Sequence, residues 1–247
     1  MQSGKHYLSL MQERFEVQAF TADMNSRLKL NYLTAFIQEA AWKHAQHLDF
    51  GSDYMHQNQV AWMLARLRLE MNEYPVWQDE IQIETWPKSI EGPCYVRDFY
   101  INDINGRRLG AATSYWLLVD TVNKRPKIPD PHTHFLMQKD KHAINMRLAK
   151  MKADCNLQVA KITAGFGDID LNNHVNSNKY VEWITNILPF DKLKNRQIGT
   201  FQINYIHELL YGEEIIFKTE EKEESGRIII EGWKGKNLCV QSFIKWA

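Results

Sequence analysis

The densest group of chemically versatile side chains lies in one short segment, residues 167–176 (GDIDLNNHVN). Six of its ten residues are Asp, Asn or His, and a predicted helix follows directly. At a helix N-terminus such side chains can cap the helix, and the free backbone N–H groups can bind an anion or a developing oxyanion. Composition alone leaves two interpretations open, a catalytic loop and a helix cap with Asx turns.

A calcium loop is a further interpretation of the same segment. Asp168, Asp170 and Asn172 match the first, third and fifth ligand positions of an EF-hand. The sixth position should be Gly and is Asn173, and the twelfth should be Glu and is Lys179. We therefore expect no calcium here, and no metal or cofactor in the protein.

Other candidate nucleophiles and ligands are weaker. Cys94, Cys155 and Cys239 are scattered without a CxxC pair, which favours structural roles in a reducing compartment. The His-Thr-His sequence at 132–134 lies in a Pro-containing stretch and is interpreted as a surface loop. Since no signal peptide and no long apolar run is present, we expect a cytoplasmic protein without a membrane span.

The elements that must position the polar segment occur twice along the chain. Each half is predicted to contain one strand, one helix and then four strands. The first half has a helix at 28–48 and strands at 7–20, 60–71, 80–86, 94–101 and 109–119. The second half has a helix at 176–188 and strands at 155–163, 199–206, 214–219, 227–233 and 238–246. The predicted fold class is therefore α+β, with two units that each wrap a curved antiparallel sheet around one helix.

Individual residues repeat as well. The sequence at 23–25 (DMN) resembles that at 170–172 (DLN), 147 positions later. Residues 77–81 resemble 211–215 at an offset of 134, and residues 106–109 resemble 235–238 at an offset of 129. A repeat of this kind indicates the same supersecondary unit in both halves.

The two halves differ where chemistry is expected. In the first half Arg27 takes the place of His174, and Tyr74 takes the place of Glu208. The second half alone therefore carries Asp, Asn, His and Glu together. This asymmetry predicts one active site per chain.

Charge excludes one class of function and marks a connecting segment. Thirty basic and thirty acidic residues give a formal net charge of zero, so we expect no bulk affinity for nucleic acid. Residues 138–152 are rich in Lys and Arg and are interpreted as a basic, solvated, partly helical linker; a contact for an acidic partner is the alternative. The predicted organisation is 1–137, a linker at 138–153, and 154–247.

The chain resembles the acyl-acyl carrier protein thioesterases of bacteria and plant plastids. The most specific match is residues 170–177 (DLNNHVNS) with Tyr180 and Trp183 on the following helix. Supporting matches are residues 74–79, 84–86, 97–99, 114–116 and 127–129. The resemblance implies a tandem hotdog fold, and the sequence looks like a bacterial member.

The resemblance also implies a site and a reaction. The family's active-site residues correspond to Asp170, Asn172, His174 and Glu208, and Leu209 stands where plant members have a cysteine. This difference speaks against a papain-like cysteine mechanism. The implied reaction is hydrolysis of a fatty acyl thioester on carrier-protein phosphopantetheine.

Each implied site residue has an expected role. Glu208 is the candidate general base, and Asn172 and His174 are candidates for holding the carbonyl oxygen. Backbone amides near Val175 and Asn176 are further candidates for the same task. Asp170 either orients its neighbours or attacks the substrate directly, and both interpretations stay open.

The resemblance places the acyl chain in the first hotdog. Leu33, Ile37, Ala41 and Trp62 are the candidate lining residues. Because carrier proteins are acidic, we expect a basic docking face. Its candidate residues are Arg66, Arg68, Lys88, Arg97, Arg107 and the linker lysines.

Three alternatives remain at this point. An acyl-CoA thioesterase would use the same fold and site with another carrier. A hotdog dehydratase would act on carbon–carbon bonds, and a non-catalytic module would only bind acyl groups. We expect a monomer or a homodimer, since a tandem hotdog holds in one chain what single hotdogs form by dimerising.

Overall fold

The computed structural model describes residues 9–130, 137–138, 140–148, 151, 155–222 and 225–247. The first half contains β1 Met11–Glu16, α1 Leu30–His47, α2 Ser52–Asn58, β2 Val60–Met71, β3 Glu80–Glu91, β4 Cys94–Asp103 and β5 Arg108–Asp120. The second half contains β6 Leu157–Thr163, α3 Ser177–Asn186, α4 Phe190–Asn195, β7 Ile198–Tyr205, β8 Glu214–Lys222, β9 Arg227–Lys234 and β10 Asn237–Trp246.

The strands form one continuous antiparallel sheet in the order β1-β3-β4-β5-β2-β7-β10-β9-β8-β6. The order is symmetric about its centre, since each half contributes five strands in the same sequence of neighbours. The halves join where β2 pairs with β7, from Arg66 opposite Asn204 to Glu70 opposite Thr200. This is the double hotdog arrangement, and it confirms the expected fold class.

Helices α1 and α3 lie against the sheet and against each other. On α1, Leu33, Ile37 and Ala41 recur at helical spacing and are at most 5% exposed. On α3, Val181 and Ile184 are fully buried. The two helices are joined by a hydrogen bond from Thr34 Oγ1 to Asn178 Oδ1 of 2.9 Å. The apolar stripes of the two helices therefore fill one shared core.

The structure contains each helix and strand that the sequence predicts, and among the described residues it adds two short α-helices, α2 and α4, and two single-turn 3-10 helices, Ala19–Thr21 and Phe166–Asp168. The bounds of β2 agree in full, and β3 continues five residues beyond its predicted end. Helix α2 contains no buried residue, and neither does α4. Neither helix therefore offers the apolar periodicity from which a helix is predicted.

The described residues of 137–151, after the first half, pack against the sheet and are not a solvated connector; we call them the strap. The Ala143 amide donates to Asp98 Oδ2 at 2.7 Å, and Lys88 Nζ donates to the Ile144 carbonyl at 2.8 Å. Leu148 is fully buried against the outer face of the first half's sheet. The described residues of 137–151 contain no helix, which corrects the expectation of a partly helical linker. Lys139, Lys150, Lys152 and the histidines at 132 and 134 lie outside the described residues.

No helix among the described residues is both long and apolar enough to cross a membrane.

Candidate active site

The loop before α3 brings Asp170 and His174 together. Asp170 Oδ1 accepts the Asn172 amide at 2.8 Å, and the Asp170 amide donates to the His174 carbonyl at 2.9 Å. Asn173 has a φ of 64°, a left-handed conformation that Asn tolerates better than most residues. The resulting turn sets His174 Nδ1 at 3.6 Å from Asp170 Oδ1.

The helix cap and the candidate catalytic side chains are different residues. Asn176 caps α3, since its side chain accepts the Asn178 amide at 2.8 Å. Asp170, Asn172 and His174 all precede this cap. Composition left a cap and a catalytic loop as alternatives, and the structure shows that the cap does not use these three residues.

Two backbone amides expected to hold the carbonyl oxygen are already engaged. The Val175 amide donates to the Leu209 carbonyl and the Asn176 amide donates to the Asp168 carbonyl, both at 2.8 Å. That expectation is therefore corrected for both amides, because a hydrogen already donated at this distance is not available to a substrate. Within the described part of the chain, the amide of Ser177 at the start of α3 has no acceptor, which makes it the better candidate.

Glu208 reaches the same region from the loop after β7. The Val175 amide donates to the Leu209 carbonyl. His174 directly precedes Val175 and Glu208 directly precedes Leu209, so this hydrogen bond brings their backbones close together. The Glu208 side chain is exposed. Burial raises the pKa of the neighbouring Tyr180, and the Glu208 carboxylate raises it further, so this hydroxyl stays protonated. Asp170, His174 and Glu208 thus lie around one short stretch of backbone.

An apolar cavity of about 110 Å³ lies between α1 and the first half's sheet, and we call it the first cavity. Its walls are mostly aromatic, with Phe50, Trp62, Tyr95 and Trp116 among them. Ala41 also lines it, so two of the four candidate acyl-binding residues are found here.

The other two candidates, Leu33 and Ile37, are absent from the lining of the first cavity. Both are fully buried within the main hydrophobic core. Both side chains lie on the face of α1 that packs into the core, whereas the α1 residues that line the first cavity lie between positions 38 and 45. Their role in binding an acyl chain stays a prediction.

Gln38 connects the first cavity to the catalytic loop. It lines the cavity, and its Nε2 donates to Asn178 Oδ1 at 2.8 Å. The Ser177 hydroxyl donates to Gln38 Oε1 at 2.8 Å. Gln38 therefore links the lining of the first cavity to the first turn of α3, which does not itself line the cavity. Sequence reasoning missed this link, although a polar Gln within an apolar helical stretch was a usable signal.

Arg97 is partly buried and lines the first cavity. Its Nη1 donates to His44 Nδ1 at 2.8 Å and to Thr85 Oγ1 at 3.2 Å. Burial lowers the pKa of Arg97 to about 9. Among the described residues no carboxylate pairs with it. Its position in the cavity wall corrects the expectation that Arg97 belongs to a docking face.

Lys88 is a second corrected docking candidate. It is 7% exposed and forms a salt bridge of 3.0 Å with the fully buried Asp98. A lysine in this position cannot meet an acidic partner.

The cysteines are all free and buried. Burial raises the pKa of the Cys94 and Cys239 thiols, which keeps both in the unreactive protonated form. Structural roles for the cysteines agree with this environment. Among the described residues no group of three or more His, Cys, Asp or Glu could hold a metal ion.

Comparison with known proteins shows which family this chain resembles. The family model described as the acyl-ACP thioesterase N-terminal domain matches residues 9–133, and that of the C-terminal domain matches residues 151–240. The curated relatives include oleoyl-acyl carrier protein thioesterase 2 of Arabidopsis thaliana, 23% identical over 84% of this chain. A palmitoyl-acyl carrier protein thioesterase of Gossypium hirsutum is 25% identical over 79% of this chain. The chain spans 61% and 51% of the lengths of these two relatives.

Solved structures agree with the fold over nearly the whole chain. An acyl-ACP thioesterase from Bacteroides thetaiotaomicron superposes with a TM-score of 0.90 and 25% identity, covering 97% of this chain and 98% of that one. The 12:0-ACP thioesterase from Umbellularia californica superposes with a TM-score of 0.82 and 20% identity, covering 98% of this chain and 95% of that one. Since both family models together match most of its residues, the chain belongs to the acyl-ACP thioesterase family.

Proposed function

We propose that this protein hydrolyses the thioester that joins a fatty acyl chain to the phosphopantetheine of an acyl carrier protein. One observation carries the proposal. The paired Asp170 and His174 lie at the start of α3, whose first residue contacts the apolar first cavity through Gln38. A thioester carbonyl at this junction would have its acyl chain in the cavity and its thiol directed to solvent.

The reaction needs an activated water, a polarised carbonyl and a leaving thiolate. Glu208 is exposed and takes a proton from water as the water oxygen adds to the carbonyl carbon. The Asn172 side-chain Nδ2–H, His174 and the Ser177 backbone N–H stabilise the negative charge that develops on the carbonyl oxygen. The carbon–sulfur bond then breaks, and the proton passes to the departing thiolate, which leaves a carboxylic acid and a free thiol.

Asp170 acts as a positioning residue in this proposal. Its Oδ1 holds the Asn172 amide and lies 3.6 Å from His174 Nδ1. The alternative is direct attack by Asp170, which forms a transient anhydride. Single-turnover hydrolysis in heavy-oxygen water separates the two. Water attack predicts label only in the fatty acid, whereas label in the Asp170 carboxylate would establish covalent attack.

The first cavity sets an expectation for the acyl chain. Its volume of about 110 Å³ is below the roughly 300 Å³ at which small-molecule sites usually begin. As it stands the cavity holds only part of a long chain. Ala41→Leu narrows it further, so the preferred acyl chain should become shorter, while Ala160→Leu on β6 in the second half serves as the matched control.

The test of the proposed activity compares thiol release from matched acyl carrier protein and acyl-CoA substrates. Asn172→Ala removes a proposed oxyanion donor and should lower the turnover rate by about 100- to 1,000-fold. Asn25→Ala changes the residue at the equivalent position of the first half's turn, so activity should be unchanged. Faster hydrolysis of the CoA substrate would reassign the carrier. No release from either substrate would overturn the proposed activity.

We also propose that the protein works in the cytoplasm. The support is chemical, since Cys94, Cys155 and Cys239 are all free thiols, as is usual in a reducing compartment.

A further inference from the structure

The turn before α1 repeats the turn before α3. Asp23 Oδ1 accepts the Asn25 amide at 2.8 Å, as Asp170 Oδ1 accepts the Asn172 amide at 2.8 Å. The Asp23 amide donates to the Arg27 carbonyl at 2.7 Å, as the Asp170 amide donates to the His174 carbonyl at 2.9 Å. The matching left-handed residues are Ser26 with a φ of 62° and Asn173 with a φ of 64°.

The loop that carries Glu208 is repeated too. The Leu28 amide donates to the Pro75 carbonyl at 2.9 Å, as the Val175 amide donates to the Leu209 carbonyl at 2.8 Å. Tyr74 therefore occupies the place of Glu208. The active site has a structural counterpart in the first half, with different side chains.

A second cavity lies at this counterpart, with a volume of about 350 Å³. Its walls come from the start of α1, the end of α3, helix α4 and the end of β10, and include Leu30, Thr185, Leu193 and Trp246. This volume falls within the range of roughly 300–1,000 Å³ that is usual for small-molecule sites. The cavity is large enough for a ligand, and the proposed hydrolysis gives it no role.

Two hydrogen-bond donors in its wall lack acceptors. The Tyr74 hydroxyl and Trp246 Nε1 are both buried, and neither has a hydrogen-bond partner among the described residues. Tyr74 is 8% exposed, and burial raises the pKa of its hydroxyl, so the group stays a neutral donor. The indole N–H can only donate. Because buried polar groups are normally satisfied, this pair points to an acceptor that the protein itself does not supply.

The charges around the second cavity favour an anion. Arg27 and Arg196 both line it, and neither pairs with a carboxylate among the described residues. The carboxylates of Asp23 and Glu182 also line it: Asp23 Oδ1 accepts two backbone amides, and Glu182 pairs with Lys179 at 3.1 Å. With Lys29, the lining holds three cations against these two carboxylates.

The start of α1 adds to this preference for an anion. The residue before the helix, Lys29, makes no side-chain cap, and the first two helical residues line the cavity. An uncapped helix N-terminus contributes partial positive charge.

We propose that the second cavity binds a small amphipathic carboxylate, with the carboxylate accepting hydrogen bonds from Tyr74 and Trp246. Leu28, Leu30 and Leu193 supply the apolar wall for the rest of the molecule. A medium-chain fatty carboxylate has this chemistry. The site is separate from the first cavity, and the proposal does not depend on the proposed hydrolysis.

The test uses decanoate as the probe and the tryptophan indole N–H signals as reporters. Trp246 reports on the second cavity and Trp62 on the first, and Trp246→Phe and Trp62→Phe assign their signals in a spectrum of the full chain labelled with nitrogen-15. Decanoate should shift the Trp246 signal in a saturable way. Decanol, which has the same chain without the carboxylate, should not. An unmoved Trp246 signal, or an equal shift with decanol, would overturn the proposal.

Tyr74→Phe is the decisive variant. It removes a hydroxyl that has no partner in the described part of the chain, so folding should be unaffected, whereas the Kd for decanoate read at Trp246 should rise about tenfold or more. Arg27→Gln should weaken binding as well. Tyr211→Phe alters an exposed tyrosine outside the cavity and should leave the Kd unchanged. An unchanged Kd in Tyr74→Phe would refute the assignment. A loss of thioesterase activity in any of these variants would concern the proposed hydrolysis and not the binding of decanoate.

Discussion

Asp98→Asn should lower the free energy of unfolding by far more than the loss of an exposed ion pair would. Asp98 is fully buried and accepts the Thr113 hydroxyl at 2.6 Å and the Ala143 amide at 2.7 Å. Its salt bridge with Lys88 is 3.0 Å long, and that lysine is also almost fully buried. Asn preserves the shape and an acceptor oxygen, but it leaves the Lys88 cation without a counter-charge. Removing one partner of a buried pair costs about 3–5 kcal/mol.

The measurement is the free energy of unfolding from urea denaturation. Asp98→Asn should lower the midpoint without changing the slope. The double variant Lys88→Met with Asp98→Asn removes the orphan charge and leaves the Ile144 carbonyl unpaired, so it should lie within about 1–3 kcal/mol of the parent. Glu214→Gln is the matched control, because its pair with Lys161 is 2.7 Å long and half exposed. The control should cost at most about 1 kcal/mol. The reasoning fails if Asp98→Asn costs no more than this control.

Two further predictions concern the core. Below pH 9 Arg97 is charged in both the folded and the unfolded state, and burial penalises the charged form. Above pH 9 the folded state releases the proton, whereas the unfolded chain keeps it to higher pH. Arg97→Met removes this penalty, but it also removes the donor to His44 Nδ1, which costs about 1–3 kcal/mol. The effect of Arg97→Met on the free energy of unfolding should therefore become less favourable as the pH rises above 9, whereas exposed Arg14→Met should show no such trend in urea denaturation. Gly232→Ala should destabilise by about 1–3 kcal/mol, because its added Cβ would lie 2.7 Å from Ile215 Cδ1. Gly167→Ala, which meets open space, should be neutral in the same thermal or urea assay.

Periodicity predicted the strands and central helices well, because both halves alternate or repeat apolar residues strongly. It failed for α2 and α4, which bury nothing and carry no such pattern. The strap was also misread, since basic composition suggested solvent whereas Ile144 and Leu148 are buried. Isolated buried residues between charged residues do not produce an apolar periodicity that predicts burial.

The site was predictable in its side chains and less so in its backbone. The segment 170–176 and the asymmetry with the first half identified Asp170 and His174, which the structure brings to 3.6 Å. The occupied amides of Val175 and Asn176 could not be foreseen, because their acceptors come from residues distant in sequence or folded back by the turn. Gln38 was missed for a related reason, since its partners lie on the other half's helix.

The repeat explains why one fold offers two cavities with different chemistry. The turns at Asp23 and Asp170 are built from the same backbone hydrogen bonds, so the scaffold itself does not distinguish them. The difference lies in what each scaffold presents: His174 and Glu208 in one half, and Arg27 and Tyr74 in the other. An acid and a histidine suit proton transfer during hydrolysis, whereas a cation and a neutral donor suit holding a carboxylate. The two proposals therefore assign a reaction to one copy of the duplicated frame and carboxylate binding to the other.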